Sequence, residues 1–265
     1  MARDLVFAGL LILFAQVRPP AFEVASIKER EFRPGLVGVE FQPGGRIIAN
    51  QSPIQLLIMA AYRILPAQLQ FEPNLPKDVL QAFYDIEAKP EANVIPPGAL
   101  SPDNKQKLES MLQALLVDRF KLRMHTEKKE LPVYALLADK GGIKLPKAPV
   151  RDCDATPSPC RWLSIGARGI DGDSVTLRSL ADQLSGFVGQ QTFLDQTGIE
   201  DRFDIHLPGF LRYAQTPGAL VDGVPADLNA PSLAAILKDV GLRLESRKQL
   251  MDVYVVDHVE KPSSN

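Results

Sequence analysis

The chain has little of what most catalytic and nucleic-acid-binding proteins depend on. Its 265 residues include only 3 His, 2 Cys and 1 Trp, and the formal net charge is −2. A charge this close to zero gives no electrostatic reason to expect a nucleic-acid partner. The sequence contains no HExxH, GxSxG, GxGxxG or Walker motif, so the common signatures of zinc proteases, α/β-hydrolases and nucleotide-binding proteins are missing. We therefore expect no cofactor, no metal and no catalytic residue.

The few histidines and the recurring aspartates leave two weaker catalytic hypotheses. A zinc site or a Ser-His-Asp set would need His125, His206 or His258 to meet partners from distant parts of the chain. Solvated histidines near strand ends are favoured instead. Asp85 and Asp204 recur at equivalent positions, and paired carboxylates can perform acid–base chemistry. A structural role for these aspartates is favoured.

The longest hydrophobic run is too short to cross a membrane. Arg3 precedes LVFAGLLILFAQV at residues 5–17, whereas a spanning helix needs about 20 apolar residues. A basic residue before a short apolar run is typical of a secretory signal peptide. Asp4 and the lack of a clean cleavage site leave a buried N-terminal helix as the alternative. We expect residues 1–21 to be removed, which gives a secreted or periplasmic chain without a membrane span.

The two cysteines and the single tryptophan lie close together in a proline-rich stretch. In an exported protein, Cys153 and Cys160 are expected to form a disulfide, with free thiols as the alternative. No histidine or third cysteine is near enough in sequence to complete a metal site. Trp162 is a candidate contact for a partner, although packing between the two parts of the chain is favoured.

The most informative positive feature is an internal repeat, in which residues 46–139 recur in degraded form at 169–259. Self-similarity of this kind predicts copies of one structural unit. The matches keep their order along the chain: YDI at 84–86 with FDI at 203–205, ALLVD at 114–118 with AILKD at 235–239, and VY at 133–134 with VY at 253–254.

Each copy is predicted to have the order β-α-β-β-α-β-β. Apolar residues at helical spacing mark two helices per copy, and each apolar stripe must cover sheet surface. The fold class is therefore predicted to be α+β, with two tandem duplicated modules, each of two helices packed on small β-sheets. The predicted helices cover 52–63, 105–118, 175–186 and 231–240, and the predicted closing hairpins pair 120–126 with 132–138 and 242–246 with 252–259.

The composition also divides the chain. Residues 143–160 are rich in proline, which indicates a linker. The predicted divisions are a signal peptide at 1–21, a first α+β module with additional N-terminal strands at 22–142, a proline-rich linker with the cysteine pair at 143–160, and a second α+β module at 161–265.

Five segments resemble a family of secreted proteins: FEVASIK at 22–28, MLQALLVDRFKL at 111–122, ELPVYALLADKGGIKL at 130–145, DQTGIEDRFDI at 195–205 and DHVEKPSSN at 257–265. This is the uncharacterised "soil-associated protein" family of soil bacteria, a domain of unknown function. The resemblance covers about residues 20–265 and implies export without an assigned activity. Gln70-Phe71-Glu72-Pro73 departs from the Gly-Gly-Pro-x-Trp-like turn usual in the family.

Each half also resembles the short N-terminal domain of secretins and TonB-dependent transducers, through LAAILKDVGLRLESRKQLMDVYVV at 233–256. That resemblance implies a module that binds other proteins and performs no chemistry. We therefore expect a non-catalytic recognition or sensor-type module that binds a protein or a cell-envelope ligand. A hydrolase of envelope polymers with a novel site between the modules, and a structural envelope component, are the alternatives.

Overall fold

The computed structural model describes residues 21–98, 100–151, 160–166, 168–187, 191–210, 220–221, 224–225 and 230–263. Cys153 and all of the predicted signal peptide except Ala21 lie outside these ranges. The described residues form interspersed helices and strands, which confirms the α+β class. No helix among them combines the length and the apolar character that a membrane crossing requires.

The strands and helices follow one another along the chain with short connections. The strands are β1 (Phe22–Arg30), β2 (Gly38–Phe41), β3 (Ile47–Pro53), β4 (Leu69–Phe71), β5 (Phe83–Pro90), β6 (Arg123–Ala138), β7 (Ser164–Gly166), β8 (Gly169–Thr176), β9 (Thr192–Asp195), β10 (Arg202–Pro208), β11 (Leu220–Val221), β12 (Val224–Pro225) and β13 (Leu242–His258). The helices are α1 (Ile54–Tyr62), α2 (Lys77–Leu80), α3 (Pro102–Arg119), α4 (Leu177–Phe187) and α5 (Leu233–Asp239).

Two of the sheets have matching strand orders. The first is β1-β5-β3-β2 and the second is β10-β8-β7, so β5-β3-β2 corresponds to β10-β8-β7. The predicted linker takes part in the second sheet, because Lys147 forms a bridge with Phe203. Ala148 N–H also donates to the Arg202 carbonyl at 2.8 Å. This stretch therefore lies beside β10 as β1 lies beside β5.

The two predicted closing hairpins are wrong. Residues 123–138 form one continuous strand, β6, which pairs antiparallel with the equally continuous β13 of the other half. Residues 127–130 contain no Gly, Asn or Pro to form a tight turn. Their charged side chains instead make pairs along the ribbon, such as Lys128 Nζ with Asp252 Oδ1 at 2.7 Å. Each half therefore ends in one long strand, and the observed orders are β3-α1-β4-α2-β5-α3-β6 in the first half and β8-α4-β9-β10-β11-β12-α5-β13 in the second.

The long ribbon is centred on the pair Glu130 and Leu250. Four residues further along the two strands lie Tyr134 and Tyr254, the tyrosines that the repeat aligned. The short strand β4 adds in parallel next to Tyr254, and β9 adds in parallel next to Tyr134. The register of the central sheet β4-β13-β6-β9 is therefore approximately two-fold symmetric. In this sheet the long strand of each half pairs with the short strand of the other half, so the halves exchange strands.

Because the halves exchange strands, each hydrophobic core contains at least one side chain from the other half. Val256 and Val259, near the C-terminus, are fully buried in the first core. Leu136, from β6, is fully buried in the second core. The C-terminal residues also contact the first half, because Glu260 N–H donates to the Phe120 carbonyl at 2.7 Å. The two halves therefore depend on each other for burial.

Local sequence signals explain where most helices begin and end. The Ser101 hydroxyl caps α3 by accepting from Asn104 N–H at 3.2 Å, and Ser232 caps α5 in the same way. No side chain caps α1, although Ser52 precedes its start. The buried Ser52 hydroxyl donates to the Gly38 and Asn50 carbonyls, which lie in β2 and β3.

Gly241 ends α5 with a positive φ of 80°. A Cβ atom there would lie 1.9 Å from the Gly142 carbonyl oxygen, so both conformation and space require glycine. This close approach places the turn after β6 against the start of β13.

The first core contains one unsatisfied hydroxyl. Tyr84 is fully buried and packs edge-on against Phe120 at a centroid distance of 5.1 Å. Its Oη has no hydrogen-bond partner among the described residues, and burial, followed by the charges of Glu29 and Asp78, raises its pKa to about 12. The corresponding residue of the second half is Phe203.

Replacing Tyr84 by phenylalanine is expected to raise the free energy of unfolding by up to about 1 kcal/mol, because the change removes a buried hydroxyl without a partner. The reciprocal Phe203→Tyr is expected to lower it by about 1–3 kcal/mol. Urea denaturation of both variants measures the two effects. Destabilisation by Tyr84→Phe would mean that the hydroxyl has a partner in solution.

Candidate functional site

Trp162 is the most conspicuous exposed aromatic side chain. It is 82% exposed, and Val150 is fully exposed nearby in the chain, while both line a groove of about 1240 Å³. The expectation that Trp162 packs between the two halves is therefore wrong. Its other role, as a candidate contact for a partner, stays a prediction that its exposure makes sterically feasible.

The walls of this Trp162 groove come from both halves of the chain. Glu40 of β2 and Lys105 of α3 belong to the first half, whereas Ser174, Ser179 and Arg202 belong to the second. The groove therefore exists only because the strand exchange holds the halves together. It lies between the halves, where the hydrolase alternative alone requires a cleft.

Arg161, next to Trp162, is held by two carboxylates of β8. Its backbone N–H donates to Asp173 Oδ2 at 2.9 Å, and its Nη1 donates to Asp171 Oδ2 at 2.9 Å. Hydrogen bonding to Asp173 raises the pKa of Arg161, and the same contact lowers the pKa of Asp173. His206 lies at the edge of this cluster, with its Nδ1 against Asp171. The cluster fixes the chain at Trp162 onto β8.

Arg151 makes a two-pronged ion pair with Asp204, with distances of 2.7 Å from Nη1 to Oδ1 and 2.9 Å from Nη2 to Oδ2. Asp204 Oδ1 also accepts from the N–H of Ser174, whose φ is 55°. The left-handed conformation of Ser174 lies in a bulge of β8, where its register with β10 shifts. Asp204 thus stabilises the strained backbone conformation of Ser174.

The first half contains the same arrangement. Asp85 Oδ1 accepts from the N–H of Gln51, whose φ is 44°, and Asp85 Oδ2 accepts from Arg30 Nε at 2.9 Å. The register between β3 and β5 shifts at this point too. These contacts explain why the two aspartates recur. Each carboxylate stabilises a bulge in its sheet, and both of its oxygens accept hydrogen bonds there.

Asp204→Asn is expected to lower the free energy of unfolding at neutral pH by about 1–3 kcal/mol, through loss of its charge-assisted hydrogen bonds. The Arg151 ion pair, then the Ser174 N–H, lowers the pKa of Asp204 below its ordinary value of 3.8. Its stabilising contribution is therefore complete above that pH and is lost as the pH falls through the lowered value. Urea titrations between pH 2 and neutrality should show a smaller acid loss in the variant than in the wild type.

Asp201→Asn provides the matched control. Among the residues that the structure describes, Asp201 pairs with Lys147 alone, and both side chains are about half exposed or more. Surface pairs of this kind contribute little, so the control should unfold like the wild type. Equal effects of the two substitutions would contradict the assigned role of Asp204.

The other histidines do not join the groove. His125 Nδ1 lies 2.7 Å from Asp257 Oδ1 and its Nε2 lies 3.2 Å from Glu127 Oε1 on the exposed ribbon. Hydrogen bonding to Glu127, then to Asp257, raises the pKa of His125. His258 pairs with Glu260. The described residues contain no group of three or more His, Cys, Asp or Glu placed to bind a metal.

Cys160 lines the groove, whereas Cys153 lies outside the described residues. The described residues include no free cysteine. The Cys153–Cys160 disulfide stays a prediction. Its place in the chain would anchor the segment that carries Trp162.

A second, smaller pocket of about 570 Å³ lies beside α4, and Arg178, Asp182 and Asp195 line it. Although Asp182 is exposed at the surface, desolvation by its neighbours raises the pKa of its carboxyl. Asp195 Oδ1 accepts from the N–H and the hydroxyl of Thr197. All of the residues that line this pocket belong to the second half, so it is not the site between the modules that the hydrolase hypothesis requires.

Sequence reasoning identified Trp162 but missed Arg151, Arg161 and Asp173. A signal for part of this cluster was present, because Asp171 and Asp173 alternate along a strand and so point to the same face. The two arginines gave no signal, since their partners are distant in sequence.

Comparison with known proteins gives one match. A family model described as "Protein of unknown function (DUF3738)" matches residues 55–259. No curated protein matches the chain. No solved structure matches it either.

Proposed function

We propose that this protein, which belongs to the DUF3738 family of proteins of unknown function, is a secreted or periplasmic recognition module that binds a protein or cell-envelope ligand and catalyses no reaction. The observation that carries the proposal is that the side chain of Trp162 is exposed in a groove. The arginines beside it are held in ion pairs with aspartates, Arg161 with Asp171 and Arg151 with Asp204. An exposed indole in a groove offers a partner a large, rigid apolar contact area, and tryptophan is enriched among the residues that dominate binding energy.

The titration behaviour of the groove supports binding over catalysis. The pKa of Arg161 is raised and that of Asp173 is lowered, in each case by the ion pair between them. Both groups are therefore held more firmly in their charged forms. A general acid or base needs a pKa near the working pH, which is the opposite of this arrangement.

Export and family context complete the proposal. Arg3 and the apolar run at 5–17 suggest a signal peptide, and the motifs suggest the secreted "soil-associated" group. A relationship of each half to the short domains of secretins and TonB-dependent transducers would fit a protein-binding role. We expect the exported protein to lack residues 1 to about 17–21, and an intact mass that includes Met1–Val17 would contradict export by cleavage.

Trp162 allows a direct test, because it is the only tryptophan. Its fluorescence is expected to shift when envelope extracts or purified envelope components are added, and Trp162→Ala immobilised on a surface should bind about tenfold or more weakly than the wild type. Leu250→Ala removes an apolar side chain that is 61% exposed on the ribbon and outside the groove, so it should bind like the wild type. Equal binding by all three proteins would refute recognition at this groove.

The alternative is a hydrolase of envelope polymers, whose site would be the pocket beside α4 and not a cleft between the modules, because desolvation raises the pKa of Asp182 in that pocket. A carboxyl that stays protonated at higher pH can act as a general acid. Turnover of purified peptidoglycan or envelope polysaccharide by the wild type, with loss in Asp182→Asn, would establish this alternative. The proposal of a non-catalytic module requires no turnover by either protein.

A further inference from the structure

The Trp162 groove is large for a small-molecule site. Its volume of about 1240 Å³ exceeds the roughly 300–1000 Å³ of typical small-molecule pockets. It is also open and is lined by residues of both halves. An occupant that fills it is therefore extended, as an oligomer or a chain segment is.

The charges around the groove disfavour an ionic occupant. Arg161 uses its Nε, Nη1 and Nη2 groups on Asp171 and Asp173, and Arg151 uses both terminal nitrogens on Asp204. Neither guanidinium presents a free fork to a carboxylate or phosphate. The described lining residues carry balanced charge: Lys105, Arg151, Arg161 and Arg202 against Glu40, Asp173, Glu200 and Asp201.

The groove nevertheless offers many polar contacts. Carboxylate oxygens already paired with arginine keep lone pairs that accept hydrogen bonds. The side-chain amide of Gln183, an exposed residue of α4 that lines the groove, has no partner among the described residues. The Ser179 hydroxyl contacts Thr176 and adds a further donor or acceptor. These groups suit a ligand that carries many hydroxyls and no charge.

Few of the apolar side chains that line the groove are strongly exposed. Trp162 and Val150 are its two strongly exposed apolar side chains. A protein interface of ordinary size needs about 800 Å² on each partner with an apolar core, which two side chains do not supply. An indole face is instead a suitable platform for the apolar C–H face of a sugar ring, because aromatic rings combine apolar area with a negative π face.

We infer that the Trp162 groove binds an uncharged oligosaccharide, with a sugar ring stacked on Trp162 and its hydroxyls bonded to the fixed polar groups. This rests on the proposed function of the groove and narrows its ligand from a protein or envelope component to one chemical class.

The test is titration of the full-length mature protein with hexasaccharides of glucose and of N-acetylglucosamine, followed by Trp162 fluorescence and by calorimetry. We expect at least one to bind, with affinity about tenfold or more weaker in Trp162→Ala and unchanged in Leu250→Ala. Trp162→Phe should recover part of the loss, since it keeps an aromatic face. Binding should be insensitive to salt, because neither ligand is charged.

Absence of binding by every uncharged hexasaccharide would overturn the inference, as would binding that Trp162→Ala leaves unchanged. Binding of acidic or basic peptides that depends on Trp162 and weakens with salt would also overturn it, while leaving recognition at the groove in place. Insensitivity of all ligands to Trp162→Ala would remove the proposed function as well, so the two failures are distinguishable.

Discussion

Val256→Asp is expected to unfold the first core, although Val256 belongs to the last strand of the chain. Its side chain is fully buried among residues of the first half. An aspartate there would place a carboxylate among the apolar side chains of this core, such as those of Phe120 and Leu122. We expect a loss of about 4 kcal/mol or more in the free energy of unfolding. Urea denaturation followed by circular dichroism measures this loss.

Leu250→Lys is the matched control for this substitution. Leu250 lies on the same strand, and it is exposed where the ribbon pairs with Glu130. A charge in water costs little, so the change should be within about 0.5 kcal/mol of the wild type. Hydrogen exchange should show lost protection in β3 and β5 for Val256→Asp alone. Intact protection of these strands in a destabilised Val256→Asp protein would contradict the strand exchange.

The second large effect concerns Leu116 and Leu237, which lie at equivalent positions in α3 and α5 and are both fully buried. With two independent modules, Leu116→Asp and Leu237→Asp would each destabilise only their own half. The shared central sheet leads to a different expectation. Either substitution should lower the stability of both halves by about 4 kcal/mol or more, because neither half retains its exchanged strand when the other unfolds.

Hydrogen exchange measured on peptides from β3 and from β8 tests this coupling. In each variant the two peptides should lose protection together, in one cooperative transition. Val117→Asp, at the half-exposed neighbour of Leu116, should preserve both. Loss of β8 protection with intact β3 in Leu237→Asp would show that the halves fold independently.

Much of the secondary structure was predictable from the sequence because its signals are local. Leu108, Met111, Leu112 and Leu115 fall on one face of α3, and all are buried as their spacing predicts. Ser101 and Gly241 mark a helix start and a helix end through hydrogen bonding and backbone freedom that neighbouring residues determine. Such signals act within a few residues, so a single sequence contains them in full.

The candidate site was predictable only in part. The sequence drew attention to Trp162 because it is unique, but its exposure depends on how the chain after Cys160 crosses β8. Asp85 and Asp204 were recognised as recurring. Only the fold shows that they stabilise the left-handed backbone conformations of Gln51 and Ser174. These contacts join residues at least 30 positions apart, beyond any local pattern.

The sequence by itself determined the α+β class, the repeat and the apolar stripe of each half, because these follow from the period and order of residue types. Only the tertiary structure decided that β6 and β13 run straight through residues 127–130 and 247–251 and pair with each other. Alternating residues are compatible with a hairpin within one half and with a ribbon between halves. The choice between hairpin and ribbon depends on whether Leu136 and Val256 are better buried in the core of their own half or in the core of the other half. That is a property of the assembled fold.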